Sequence, residues 1–120
     1  MTLSTVVLET LDAQELAAFY RRLLGWEIER EEPDWVKLAA PAGGPGLSFQ
    51  SDPAYVRPTW PGVPGGQQMM AHLGIEVDDL DAAGAHALAA GATLADHQPE
   101  DDVRTYLDPA GHPFCLWIRT

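Results

Sequence analysis

A single cysteine, Cys115, stands in a chain of 120 residues, so no intrachain disulfide can hold the fold. Basic residues are scarce too. Seven Lys and Arg against eighteen Asp and Glu leave a formal charge of −11, a balance that repels phosphate backbones and anionic membranes and argues against nucleic acid as a partner. No apolar run reaches the roughly 18 residues of a membrane span. Met1 to Val7 carries neither a basic segment nor an apolar run of signal-peptide length. A cytoplasmic protein with no membrane partner is the expectation.

What is present is apolar patterning and punctuation. With 46% hydrophobic residues and eleven glycines, the chain suits one compact domain or two half-size modules sharing a core. Thr5 to Thr10 is rich in β-branched residues and reads as a strand. A helix follows: Asp12 caps it with Glu15 three residues on, Leu16, Phe19, Tyr20, Leu23 and Leu24 recur at helical spacing, and Gly25 ends it. Glu27 to Glu32, Trp35 to Pro41 and Leu47 to Gln50 read as three more strands. The segment 51–68 is dense in Pro53, Pro58, Pro61, Pro64, Gly62, Gly65 and Gly66, so an irregular connection is predicted, with Trp60 folded back on an apolar surface.

After this connection the order repeats. His72 to Val77 reads as a strand, Asp79 opens a helix with Leu80, Ala83, Ala87 and Leu88 on its apolar side, Gly91 stops it, and Ala92 to Ala95 is a short strand. Val103 to Pro109 matches Trp35 to Pro41 position for position, and Cys115 falls where Ser48 or Gln50 falls. The predicted fold class is α+β: two tandem βαβββ modules, about 3–50 and about 70–119, around a Pro/Gly-rich linker at about 51–69. Joined edge to edge they make a curved eight-stranded sheet with helices outside and a concave cavity that a small molecule can enter. Periodicity supports the strands and the repeat rather than the joining.

The stretch Asp108 to Trp117 concentrates the candidate residues. Asp-Pro-Ala-Gly is a tight turn, and in the strand after it Phe114 and Leu116 alternate with Pro113, Cys115 and Trp117. Trp35 and Trp117 fall on the alternation facing away from the helices and, with Trp60, suit an aromatic-lined pocket; the plainer reading is core filling. Trp26, after the helix-ending glycine, reads as core. Cys115 reads as a small buried side chain more than as a nucleophile, since no neighbouring cation is evident. His86 is expected in solvent, His97 in an acidic loop, and His112 in the turn it orders, with nothing to bring the three together. The acidic runs Glu29 to Glu32 and Glu100 to Asp102 read as solvated surface.

Four stretches taken in order, Leu11 to Trp26, Pro58 to Pro61, His72 to Leu80 and Asp108 to Leu116, resemble the glyoxalase-like branch of the vicinal oxygen chelate superfamily. That superfamily includes glyoxalase I, extradiol dioxygenases and bleomycin-binding proteins. The resemblance implies a divalent metal on the concave face, held by His, Gln and Glu from the first and last strand of each repeat, acting as a Lewis acid. Carried over, His72 matches a ligand position, Thr5 is its poor counterpart, Gln50 or Ser48 ends the first repeat, and Cys115 stands where the metal-binding enzymes place glutamate. A metal held by His72, Gln50 and Cys115 (Zn, Ni, Mn or Fe) is the less favoured reading, because an amide is a weak third ligand. The expectation is a small-molecule-binding protein with a degenerate or absent metal site. It binds an apolar or aromatic compound through His72, Gln50, Trp35, Trp60, Cys115 and Trp117. The rival is a metal-dependent lyase, isomerase or dioxygenase. No catalytic residue is assigned, and a homodimer is expected.

Overall fold

Residues 1–119 are described in the computed structural model, and they divide into two compact units, Met1–Tyr55 and a second that begins at Val56. The division falls inside the Pro/Gly-rich connection. Each unit is one βαβββ module with its own helix and its own four-stranded mixed sheet. Among the described residues no helix is long and apolar enough to cross a membrane.

Module one runs β1 (Thr5–Thr10), α1 (Ala13–Leu24), β2 (Glu27–Glu32), β3 (Trp35–Ala39) and β4 (Gly46–Ser51). Its sheet order is β1-β4-β3-β2, with β1 parallel to β4 and the other pairs antiparallel. The cap residues act as their chemistry requires. Asp12 Oδ1 accepts from the amides of Gln14 and Glu15 at 3.0 and 3.2 Å, and Gly25 takes φ 73° while its N–H reaches the Arg21 carbonyl at 2.9 Å. Ala13, Leu16, Ala17 and Tyr20 recur at helical spacing and are buried. Tyr20 stacks on Phe49 with ring centroids 5.3 Å apart, and Val36, Leu38 and Leu47 complete that layer. Each such side chain stabilises the fold by about 1.5–3 kcal/mol through burial. Strand alternation then turns Trp35, Lys37, Ser48 and Gln50 to the face opposite the helix.

Module two runs β5 (Leu73–Glu76), α2 (Leu80–Ala90), β6 (Thr93–Leu94), β7 (Val103–Leu107) and β8 (Pro113–Trp117), in the sheet order β5-β8-β7-β6. Asp79 caps α2 by accepting from Ala82 N at 3.0 Å. The helix differs from expectation in its buried side: Gly84, Ala87 and Ala90 are buried, whereas Leu88 is 50% exposed. The cause is the sheet beneath. Tyr106 and Phe114, stacked at 5.9 Å, are bulky, and only a helix face of small residues packs closely on them. A Cβ on Gly84 would run into the Tyr106 hydroxyl. Asp81 bridges from α2 to Arg104 on β7 at 2.7 Å and raises the pKa of that guanidinium further.

The strand β6 is only two residues long, yet β7 is not left bare beyond it. Ala95 N donates to Thr105 O at 3.1 Å. The Gln98 amide then pairs with the same residue: Nε2 donates to Thr105 O at 2.8 Å, and Oε1 accepts from Thr105 N at 2.9 Å.

Candidate functional site

Residues paired across neighbouring strands share a face, so the register of each sheet shows which side chains stand in a row. In module one the face opposite α1 carries the row Trp35, Gln50, Glu9 and beside it the row Lys37, Ser48, Val7. In module two the corresponding rows are Val103, Trp117, Glu76 and Thr105, Cys115, Gly74. Superposing the rows makes Ser48 the counterpart of Cys115, and Trp117 that of Gln50. The sequence left Ser48 and Gln50 both open for that place. By the same registers Thr5 corresponds to His72, which stands one residue before β5.

At these positions the donors are two hydroxyls, an imidazole and a thiol. The two hydroxyls are bonded to each other, Thr5 Oγ1 to Ser48 Oγ at 2.7 Å. Cys115, half-buried, lies 3.4 Å from Thr105 Oγ1. Among the described residues no group of three or more His, Cys, Asp or Glu side chains comes together. Gln50, on the Trp35 row, is exposed.

Aromatic side chains meet more closely. Trp60, from the irregular connection, has its ring centroid 6.2 Å from that of His72 and 5.9 Å from that of His97, and its indole N–H donates to the His97 carbonyl at 3.0 Å. The surface on which Trp60 rests is thus a pair of imidazoles, and His97 is a neighbour that sequence reasoning missed. No periodicity fixes a residue in the loop after β6; the need of Trp60 for a surface was the sole signal. Trp117, half-buried on β8, stands beside Glu76, whose carboxylate is held by Arg119 at 2.9 and 3.1 Å. A Cβ on Gly74 would make an ordinary van der Waals contact with the Trp117 indole nitrogen, at 3.7 Å. Trp35 is half-buried next to Gln50 in module one.

The turn before β8 is built around a carboxylate. Asp108, fully buried, accepts from Ala110 N at 2.9 Å and His112 N at 3.0 Å, and pairs with His112 Nδ1 at 2.9 Å. His112 therefore orders the turn and stands apart from the Trp60 cluster's contacts, as the sequence suggested.

Two βαβββ modules with these registers define a protein of the vicinal oxygen chelate type. The chain belongs to the glyoxalase-like domain family, whose model matches residues 5–117. None of the curated proteins matches it. Among solved structures it is similar to a glyoxalase/bleomycin resistance protein/dioxygenase family enzyme from Burkholderia phytofirmans PsJN, at 24% identity over 98% of each chain and a TM-score of 0.74. A glyoxalase/bleomycin resistance protein from Albidiferax ferrireducens T118 shares 20% identity over 98% of each chain, with a TM-score of 0.67. TnmS3, an antibiotic binding protein from Streptomyces sp. CB03234, shares 17% identity over 100% of this chain and 97% of its own, with a TM-score of 0.66.

Proposed function

We propose that this chain binds an apolar or aromatic small molecule through the indoles on the helix-free sheet faces, with no metal required. In module two the surface is Trp117, Trp60, His72 and Cys115; in module one it is Trp35 with Gln50. The observation that carries the reading is the Thr5–Ser48 hydrogen bond. Where metal-binding members of the superfamily supply two ligands, this chain has two weak donors that satisfy each other. His72 and Cys115 then remain at the other two positions, one short of the three good protein ligands of a catalytic zinc. Flat ligands stack well on indole, which supports an aromatic compound. That one structural neighbour is described as antibiotic binding points the same way.

The test is elemental analysis of protein purified without chelator, together with a fluorescence titration using 1-naphthol. The reading expects substoichiometric metal, saturable quenching without added metal, and an affinity weaker by up to about tenfold in Trp117→Ala, the scale of one lost aromatic contact. Stoichiometric divalent metal that disappears in His72→Ala overturns it in favour of the metal-dependent lyase, isomerase or dioxygenase. The proposal also places the chain in the cytoplasm as a homodimer, which light scattering checks against twice the 13.0 kDa chain mass.

A further inference from the structure

In each module the tryptophan on the helix-free sheet face has a glutamate in its own row, and the two glutamates differ in what holds them. Glu76, in the row of Trp117, is bonded to Arg119 at 2.9 and 3.1 Å. Glu9 pairs across the strands with Gln50, which pairs in turn with Trp35. Half-buried Glu9 has neither an ion pair nor a side-chain hydrogen bond among the described residues, and the Gln50 amide is equally unpaired. No buried side-chain oxygen of the described residues lacks a partner, so this unpaired carboxylate is open to solvent.

Among the described residues no basic side chain of module one is left to neutralise Glu9. Lys37, one row along, is bonded to Glu29 at 2.7 Å, and Arg30 to Glu32 at 3.4 Å. Arg21 and Arg22 stand in the last turn of α1, which covers the opposite face of the sheet. By register Glu27 and Glu32 share the face of Glu9, so the charge left over there is negative. The formal charge of −11 favours the approach of a cation to the whole chain, and Glu9 gives it a place beside an indole.

We propose, on the footing of the sheet-face reading, that the compound bound in module one is an arylalkyl amine in its ammonium form. The ammonium donates to the Glu9 carboxylate and to the Gln50 side-chain carbonyl, and the ring lies on the Trp35 indole. Neighbouring strands stand about 4.8 Å apart, so Glu9 and Trp35, two strands from each other, are separated by roughly 10 Å of backbone, a span that suits a short arm between ring and nitrogen. In module two Arg119 already occupies the corresponding carboxylate, and the ammonium has no equivalent place.

The full chain is titrated at neutral pH with 2-(1-naphthyl)ethylamine and with 2-(1-naphthyl)ethanol, which has the same ring and arm without the charge. The indole N–H resonances are followed by NMR, with Trp35 assigned through Trp35→Phe. The expected result is a saturable shift of the Trp35 signal, with the amine bound about tenfold more tightly than the alcohol, the scale of one hydrogen bond to a charged group. Glu9→Gln, which keeps the size of the side chain and removes its charge, brings the two affinities together. Raising sodium chloride from about 0.05 to about 0.5 M narrows the gap in the unaltered chain, a measurement independent of how the variant folds. Equal affinities in the unaltered chain, a gap that salt leaves unchanged, a preference for the amine that survives Glu9→Gln, or an amine response confined to Trp60 or Trp117 overturns the proposal. Saturable binding of the alcohol in any of those cases leaves the sheet-face reading standing, whereas silence of Trp35, Trp60 and Trp117 towards both compounds overturns the two together.

Discussion

Asp108 is the residue whose chemistry and position are most tightly bound together. Its carboxylate is fully buried and receives two backbone amides and an imidazole, so removing it strands several donors away from water. Asp108→Ala is expected to destabilise the fold by about 2–4 kcal/mol, and Asp108→Asn, which keeps one carbonyl oxygen, by about 1–2 kcal/mol. Urea unfolding followed by circular dichroism reads both as lower midpoints; a midpoint unchanged in Asp108→Ala would show that solvent takes over the turn. The same scale explains why the candidate site was half legible. A tryptophan on a strand announces its face through alternation, as Trp35 and Trp117 do. His97 is fixed by an indole N–H reaching its carbonyl, a contact between distant loops that leaves no trace in local sequence.

At the scale of elements, the helices were legible at their ends because capping is local chemistry: Asp12 and Gly25 bound α1, and Asp79 and Gly91 bound α2. The buried side of α2 was not legible. Its sequence is rich in alanine and has no single apolar stripe, so the rings of the sheet decide which small residues turn inward. Gly84 is the decisive position. Helix propensity alone would make Gly84→Ala stabilising by up to about 1 kcal/mol, but the added methyl meets the Tyr106 hydroxyl, and overpacking of this sort costs about 1–3 kcal/mol. We therefore expect a net loss in Gly84→Ala and its recovery in Gly84→Ala with Tyr106→Phe, measured as coupling in a double-mutant thermal unfolding cycle. Additive effects would place the methyl in free space. The counterpart of Cys115 was left open between two residues for a related reason. The turn from β3 to β4 spans 40–45 and that from β7 to β8 spans 108–112, a difference of one residue that only the hydrogen-bonded register resolves.

For the whole molecule the repeat was the strongest signal, since two modules with the same order of strand, helix and three strands leave their periodicity twice in the chain. The charge is the other global property. Surface ion pairs such as Arg119–Glu76 are each worth about 0–1 kcal/mol and weaken with salt, whereas the excess of eleven negative charges repels itself and is relieved by salt. The second effect is the larger, because the eleven unbalanced charges all repel one another while each exposed pair contributes little. Raising sodium chloride from about 0.01 to about 0.5 M is expected to stabilise the protein by about 1 kcal/mol, seen as a rise of roughly 3–6 °C in Tm. A flat or falling Tm would mean that the pairs outweigh the excess.

The side-chain amide of Gln98 has a bearing beyond its own loop. Strand β6 ends after two residues, and the next carbonyl and amide on β7 meet a surrogate that has the donor and acceptor of a peptide group without being one. A neighbouring chain cannot continue the ladder at Thr105 while that place is taken. At that position the border of the sheet is closed to the edge-to-edge growth from which fibrils start, at the cost of a single glutamine.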